Sequence, residues 1–344
     1  MFRWIATLIL LILHLSAYAV PAFSQSRDFD TVSVASGVYA VIGKNGVVSN
    51  SAFIVNEHDV VVVDAQLRPS WAREVISEIK KVTDKPVRYL INTHWHRDHV
   101  QGNQAYLEAF GPGVTIIQHD LTREDQIKNQ PTELATRAPA EIERLEKRLN
   151  AGKDEKGGLL LPPARAQLEH QLDLQKAYLA EIPQIRVVPA TVTFDRSLVL
   201  HESNRDICLY YFGYAHTRGD VVVYLPTEKV VMTGDVLEAG VPLMRSAYPA
   251  RSINVLESIQ KLDWDYAIPG HGGVQQDRKT IVQFIAYMND LVSGVKKAIA
   301  TGLTIDQAVE SVNLSKYSGL PDYENNTPGA IQRAYLELTG QLPD

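Results

Sequence analysis

Six consecutive residues, His94-Trp95-His96-Arg97-Asp98-His99, hold three imidazoles and a carboxylate. Nitrogen and carboxylate-oxygen donors at this density are the ligand types of zinc and other first-row metals. In an extended segment His94 and His96 point to one side, because side chains repeat every two residues. Asp98 and His99 follow where the chain must turn. A single ion would struggle to take four donors from so short a stretch, so the spacing predicts two metals. Three more donors sit at the ends of predicted strands: His216 in Gly213-Tyr214-Ala215-His216-Thr217-Arg218-Gly219-Asp220, Asp235 after Gly234, and His271 in Pro269-Gly270-His271-Gly272-Gly273. Glycines beside them permit tight turns, and the carboxyl ends of sheet strands are where α/β proteins place ligands. Buried imidazoles and carboxylates are costly unless paired or metal-bound, so the set reads as a metal centre. The remaining histidines, His14, His58, His119, His170 and His201, read as surface or structural residues.

These donors need a scaffold, and the hydrophobic pattern supplies one. Residues 37–42, 51–55 and 60–63 read as strands. The last of these, Val60-Val61-Val62-Val63, is an unbroken β-branched run ending at Asp64, as expected of a strand buried on both faces. A helix follows over 69–81, with Trp71, Val75, Ile76 and Ile79 on one stripe. A strand over 87–91 leads into the histidine cluster, followed by a helix over 103–110 and a strand over 114–117. Strands resume at 186–188, 198–200, 207–212, 221–224 and 230–232. A helix over 252–262 precedes a final strand at 266–268 and the His271 loop. The alternation predicts a layered α/β fold. Between its halves, 121–182 carries no strand pattern. Helices over 140–150 and 164–182, joined by a Gly- and Pro-containing turn at 152–163, form an inserted hairpin expected to cap the cleft. Helices over 279–301, 304–312 and 329–339 make a C-terminal helical tail.

The 344 residues are 45% hydrophobic and 22% charged, enough for a substantial core and inconsistent with wholesale disorder. The net charge of −6 argues against a nucleic-acid partner, and a nuclease is disfavoured on the same ground. A single cysteine, Cys208, excludes a disulfide scaffold and a thiolate-rich zinc site. Arg3, the apolar stretch from Trp4 to Leu15, and the small residues of Ala17-Tyr18-Ala19 and Ala22-Phe23-Ser24 have the layout of a secretory signal peptide over residues 1–24. The expectation is a periplasmic or secreted protein with no stable membrane insertion once the signal is cleaved.

The string HWHRDH matches the HxHxDH signature of the metallo-β-lactamase superfamily. GYAHTRGD, the Thr233-Gly234-Asp235 triplet and PGHGG resemble that superfamily's remaining metal motifs in the same order, and Asp64 resembles its first motif. The resemblance spans roughly residues 30–275. It implies an αββα sandwich in a domain over 25–278, with the 121–182 insertion inside it and the helical region 279–344 after it. It further implies that His94, His96 and His216 hold one metal, that Asp98, His99 and His271 hold the second, and that Asp235 bridges the two. Asp64 would orient a ligand histidine, with Thr217 and Asp220 in similar supporting roles. Two zinc ions per chain are implied; manganese and iron are compatible with the same donors. The nucleophile would be a metal-bound hydroxide, with Asp98 as the catalytic residue that orients the water and shuttles a proton.

Metallo-β-lactamases with a cysteine zinc ligand place a thiolate where this chain has Asp235, which resembles instead the glyoxalase II, lactonase and ribonuclease Z branches. The resulting expectation is an exported dinuclear zinc hydrolase of a small ester, lactone, thioester or lactam. Hydrolysis of β-lactam antibiotics and a mononuclear iron sulfur-dioxygenase are the alternatives. The expected partner is a small-molecule substrate, with Arg245 and Tyr248 as candidate contacts to it, and a homo-oligomer is left open.

Overall fold

The computed structural model describes residues 28–47, 49–154 and 157–342. The signal segment expected over residues 1–24 lies outside them. The first half of the chain runs β1 (Phe29–Ala35), β2 (Val38–Gly43), β3 (Ser51–Val55), β4 (Val60–Val63), α1 (Pro69–Val82), β5 (Val87–Ile91), α2 (Arg97–Val100), α3 (Asn103–Phe110) and β6 (Thr115–His119). Two long helices follow, α4 (Asp120–Ala151) and α5 (Pro162–Glu181). The second half comprises β7 (Val192–Phe194), β8 (Ser197–Glu202), β9 (Arg205–Tyr210), β10 (Val222–Leu225), β11 (Val230–Gly234), α6 (Pro249–Lys261), β12 (Tyr266–Pro269), α7 (Lys279–Ala300), α8 (Ile305–Ser311) and α9 (Tyr323–Leu338).

The strands form two sheets. One has the order β1-β2-β3-β4-β5-β6-β7, antiparallel through β4 and parallel from β4 to β7. The other has the order β12-β11-β10-β9-β8, with only β11 and β12 parallel. Strand alternation divides each sheet between two apolar layers. Val61, Val63, Ile91 and Ile117 face Leu209, Val223, Met232 and Ile268 between the sheets. Val60, Val62, Leu90 and Ile116 pack outward against Trp71, Val75, Ile79 and Tyr106 of α1 and α3. On the far side, Val222, Val231 and Ala267 pack against Leu256 and Ile259 of α6, Phe284 and Leu291 of α7, and Ile331 of α9. The architecture is thus the αββα sandwich expected, and the C-terminal helices cover the outer face of the second sheet.

Two expectations about the elements fail for identifiable reasons. The helix expected over 140–150 is the last third of α4, which begins twenty residues earlier at Asp120. Its first half buries Thr122, Asp125, Gln126 and Gln130, a stripe with helical spacing but polar composition, so no apolar periodicity marks it. The strand expected at 186–188 is absent. Its backbone groups are taken by side chains: the Arg186 N–H donates to Gln104, while the Val188 carbonyl accepts from Asn103 and Gln126. The seventh strand of the first sheet is instead β7, paired in parallel with β6.

Candidate metal centre

Every donor named from the sequence arrives at one place, at the end of the sandwich where β4, β5, β11 and β12 terminate. His94 and His96 lie in the loop between β5 and α2, and Asp98 and His99 lie within α2. His216 comes from the β9–β10 connection, Asp235 follows directly on β11, and His271 follows β12 after one intervening residue, Gly270. The potential ligand atoms fall into two groups, His94, His96, His216 and Asp235 in one and Asp98, His99 and His271 in the other, each spanning less than 4.8 Å. Asp235 faces both. Its Oδ2 is 3.5 Å from Nε2 of His94 and of His216 and 3.1 Å from Nε2 of His271, while its Oδ1 is 3.4 Å from Nε2 of His99. Asp98 Oδ2 stands 3.6 Å from His99 Nε2 and 3.5 Å from His271 Nε2. No backbone other than glycine fits next to Asp235, since a Cβ on Gly270 would lie 1.9 Å from its Oδ1.

The ring orientations are fixed from behind. Asp64, at the end of β4, accepts from the Thr93 N–H (2.7 Å) and the Thr93 hydroxyl (2.8 Å), and from His99 Nδ1 (2.7 Å). The Thr93 oxygen in turn accepts from His94 Nδ1 at 3.0 Å. One carboxylate therefore sets a histidine in each group, directly in one case and through Thr93 in the other. With both Nδ1 atoms protonated, both Nε2 lone pairs face the centre. His96 is turned the other way: its Nε2 meets the Ser246 hydroxyl at 3.1 Å, and its Nδ1 faces His216 Nε2 at 3.0 Å. Thr217 donates to Asp220 from both its N–H and its hydroxyl, which locks the turn carrying His216 rather than contacting an imidazole.

The fit to metal rests on buried atoms that nothing else satisfies. Nε2 of His94, Nε2 of His99 and Oδ1 of Asp235 are buried with no hydrogen-bond partner among the described residues. Such groups are costly in a protein interior, and all three point into the centre. Burial, reinforced by the neighbouring His216, lowers the pKa of His96 to about 3, and burial with nearby His99 lowers that of His94, so both are neutral donors. Burial also opposes charge on His99 and His271. Asp235 outweighs it in both, aided at His99 by Asp64 and Asp98, raising His99 well above its ordinary value and His271 to about 10. Burial would push Asp235 up, but His271, His99 and His94 hold it well below the usual carboxylate range. The carboxylates thus require positive charge beside them, which divalent cations would supply.

The cavity above the donors has a volume of about 540 Å³. Its roof is α4 and α5, through residues such as Glu133, Arg137, Leu174 and Tyr178. Arg245 lines it as well, whereas Tyr248 is buried behind it, its ring 4.9 Å from that of Tyr214. The histidines read as structural stay out of the centre: His119 stacks on Tyr211, His170 bonds the Asn45 carbonyl, His201 pairs with Asp206, and His58 lies beside Glu57. His14 falls outside the described residues. Cys208 is buried within β9, on the face covered by the C-terminal helices. Sequence reasoning missed Ser246 and Glu238. Glu238 lines the cavity, and burial with Asp235 nearby pushes its carboxyl up to about 8. Neither carries a motif; only their distance of eleven or fewer residues from Asp235 marks them.

Comparison with known proteins agrees with this geometry. The model of the metallo-β-lactamase superfamily matches residues 45–271, and the chain belongs to that superfamily. Its lactamases and alkylsulfatases are metal-dependent hydrolases. A linear primary-alkylsulfatase of Pseudomonas sp. (strain ATCC 19151) is 20% identical over 297 residues, covering 81% of this chain and 53% of that protein. Among solved structures, a metallo-β-lactamase from Pontibacter korlensis superposes with a TM-score of 0.55 at 16% identity, over 76% of this chain and 99% of its own. A stereoselective inverting sec-alkylsulfatase from Pseudomonas sp. gives a TM-score of 0.62 at 14% identity, over 91% of this chain and 51% of its own. The chain therefore spans about half the length of both alkylsulfatases, and at these identities the likeness to the solved structures is one of fold.

Proposed function

We propose that this protein is an exported dinuclear zinc hydrolase that uses water to cleave a small ester, lactone, thioester or lactam. The observation that carries the reading is the convergence of seven donors in two groups that share Asp235, with unsatisfied buried atoms aimed between them. His94, His96 and His216 would hold one cation, Asp98, His99 and His271 the other, and Asp235 both. Nitrogen and oxygen donors of this kind suit zinc, and manganese or iron would be accepted by the same set. Such cations, when bound, lower the pKa of water from ~15.7 toward ~7 and polarise the bond to be cleaved.

The chain's own residues do the remaining work. Asp64 keeps the His94 and His99 rings in register by taking their Nδ1 protons into its network. Asp98, whose carboxylate faces the cavity beside His271, would orient the attacking water and accept its proton at Oδ1, the oxygen not turned toward His99 and His271. The roof of α4 and α5 and the indole of Trp95 restrict bulk water around the substrate. Asp235 in place of a thiolate weighs against β-lactams as the preferred substrate. A second reading, hydrolysis of a sulfate ester, is favoured by the sec-alkylsulfatase, whose fold matches 91% of this chain where the Pontibacter lactamase matches 76%.

The test is elemental analysis of the purified protein, followed by turnover of lactone, thioester, phosphoester, alkyl sulfate and β-lactam substrates before and after chelation. Two divalent ions per chain, with turnover that vanishes on chelation and returns with zinc, is the expected result. One iron per chain, or turnover indifferent to chelation, would overturn the reading.

A further inference from the structure

The cavity carries positive charge that the metal chemistry does not use. Arg97 stands between the ligands His96 and Asp98, Arg137 projects from α4, and Arg245 lies in the loop after Asp235, next to the Ser246 that bonds His96. All three line the cavity. Carboxylates line the cavity as well: Glu133 pairs with Arg137 at 3.5 Å, Glu141 takes two hydrogen bonds from Arg144, and Glu238 and Asp322 stand in the same lining. Among the described residues, neither Arg97 nor Arg245 has a carboxylate within ion-pairing distance. The Arg97 guanidinium lies over the Tyr178 ring, 5.5 Å from its centroid, and its Nη1 is buried with no hydrogen-bond partner.

Arg97 and Arg245 are thus left without a carboxylate partner in this lining, and a cation in a half-buried space is unfavourable unless an anion joins it. Part of the wall is apolar, with Leu67, Trp71, Leu145, Leu174, Val241 and Leu243 lining the same cavity. We propose that Arg97, Arg137 and Arg245 form an anion-binding subsite, and that the substrate is an amphiphile whose sulfate, carboxylate or phosphate group docks there while its apolar body lies against the leucine and tryptophan wall. This rests on the hydrolase reading for the identity of the cavity as a substrate site, but not on any bond being cleaved. Arg137 and Arg245 come from the inserted helix and from a loop rather than from the metal-binding segments, so charge recognition and metal binding are separable.

The test is calorimetric binding of octane-1-sulfonate, which has no ester to hydrolyse, against octanoate and neutral 1-octanol. It uses the full chain with and without added zinc, as wild type and as the Arg137→Ala/Arg245→Ala double variant. Arg245 is exposed, and circular dichroism with metal content confirms that the variant is folded and loaded. We expect the sulfonate to bind wild type about tenfold or more tightly than octanol, with and without zinc, and the variant to lose that preference. A preference for sulfonate over octanoate assigns the subsite to a sulfate-like group; the reverse assigns it to a carboxylate. Equal binding by wild type and variant, or sulfonate binding that disappears when zinc is removed, would overturn the proposal. Turnover of neutral esters is measured alongside. If it is absent while the variant loses sulfonate binding, the hydrolase reading fails and the subsite stands; the converse result leaves the hydrolase and removes the subsite.

Discussion

Asp64 and Glu181 perform related tasks, one behind the donors and the other at the base of the roof. Asp64, in the floor, is 3% exposed and gathers bonds from Thr93 and His99 at the junction of the sheets. Glu181, at the end of α5 in the roof, accepts from Arg68 Nε (2.8 Å), the Ser70 hydroxyl (2.6 Å) and the Ser70 N–H (3.2 Å), and so ties the hairpin to the start of α1. The floor is held by a continuous apolar core on either side. The hairpin's own core is a cluster of four buried leucines, Leu145, Leu149, Leu160 and Leu168; it docks through Ala138 and Tyr178 in the core outside the first sheet and through polar ties such as Gln130 to the Trp95 carbonyl and Tyr178 to Gln101. Rigid placement is spent on the donors, and the wall that meets the substrate is attached by fewer, more polar contacts. Such regions open locally before the whole fold does.

This contrast can be broken at either end. Asp64→Asn keeps the shape but turns an NH2 group toward either the Thr93 N–H or the Thr93 hydroxyl and His99, setting donor against donor, so cation affinity should fall about 10–100-fold, as read by competition with a chromophoric chelator, while hairpin proteolysis stays at the wild-type rate. An unchanged affinity would show that Asp64 does not govern the centre. Glu181→Gln should do the opposite. It removes about 1–3 kcal/mol of hairpin docking, seen as faster proteolytic nicking within 120–181, with cation content intact.

The Glu181 link also gives the roof an acid sensitivity. Burial pushes the Glu181 carboxyl up, but hydrogen bonds from Ser70 and Arg68 outweigh it and hold the pKa below the ordinary glutamate value. A depressed folded pKa means the tie is fully present above the unfolded value of ~4.3 and is lost as pH falls through the folded one. Hydrogen exchange in α5 should therefore accelerate below about pH 4 in wild type and be less pH-dependent there in Glu181→Gln. The smallest effect is expected at the exposed pair Lys176–Glu146, whose side chains are 52% and 46% exposed. Lys176→Ala should cost at most ~1 kcal/mol, and a larger loss of hairpin protection would mean that its surface holds it as firmly as its rim.

The same division decides what could be read without coordinates. The floor was legible because its donors are chemically rare residues at fixed spacing, and because β-branched runs such as Val60–Val63 mark doubly buried strands. Asp64 was legible as the residue closing such a run. The roof was not, because the stripe of α4 that faces the site is Thr122, Asp125, Gln126 and Gln130, which in isolation reads as a solvated surface. Ser246 and Glu238 escaped for a similar reason: a hydroxyl or a carboxyl in a loop has no period, and only the folded loop aims it. The strand expected at 186–188 failed because polar side chains of α3 and α4 claimed its backbone, a tertiary competition that no local pattern records.

The crowding at Gly270 makes the His271 loop unevenly editable. A methyl group at 270 would collide with the carboxylate shared by both donor groups, and Gly272 holds φ +79°, a conformation other residues resist. Gly273 meets nothing within 4 Å and has an ordinary backbone. Sequence variation, natural or engineered, that reshapes this lip of the cavity without disturbing the donors is thus funnelled through one residue out of three.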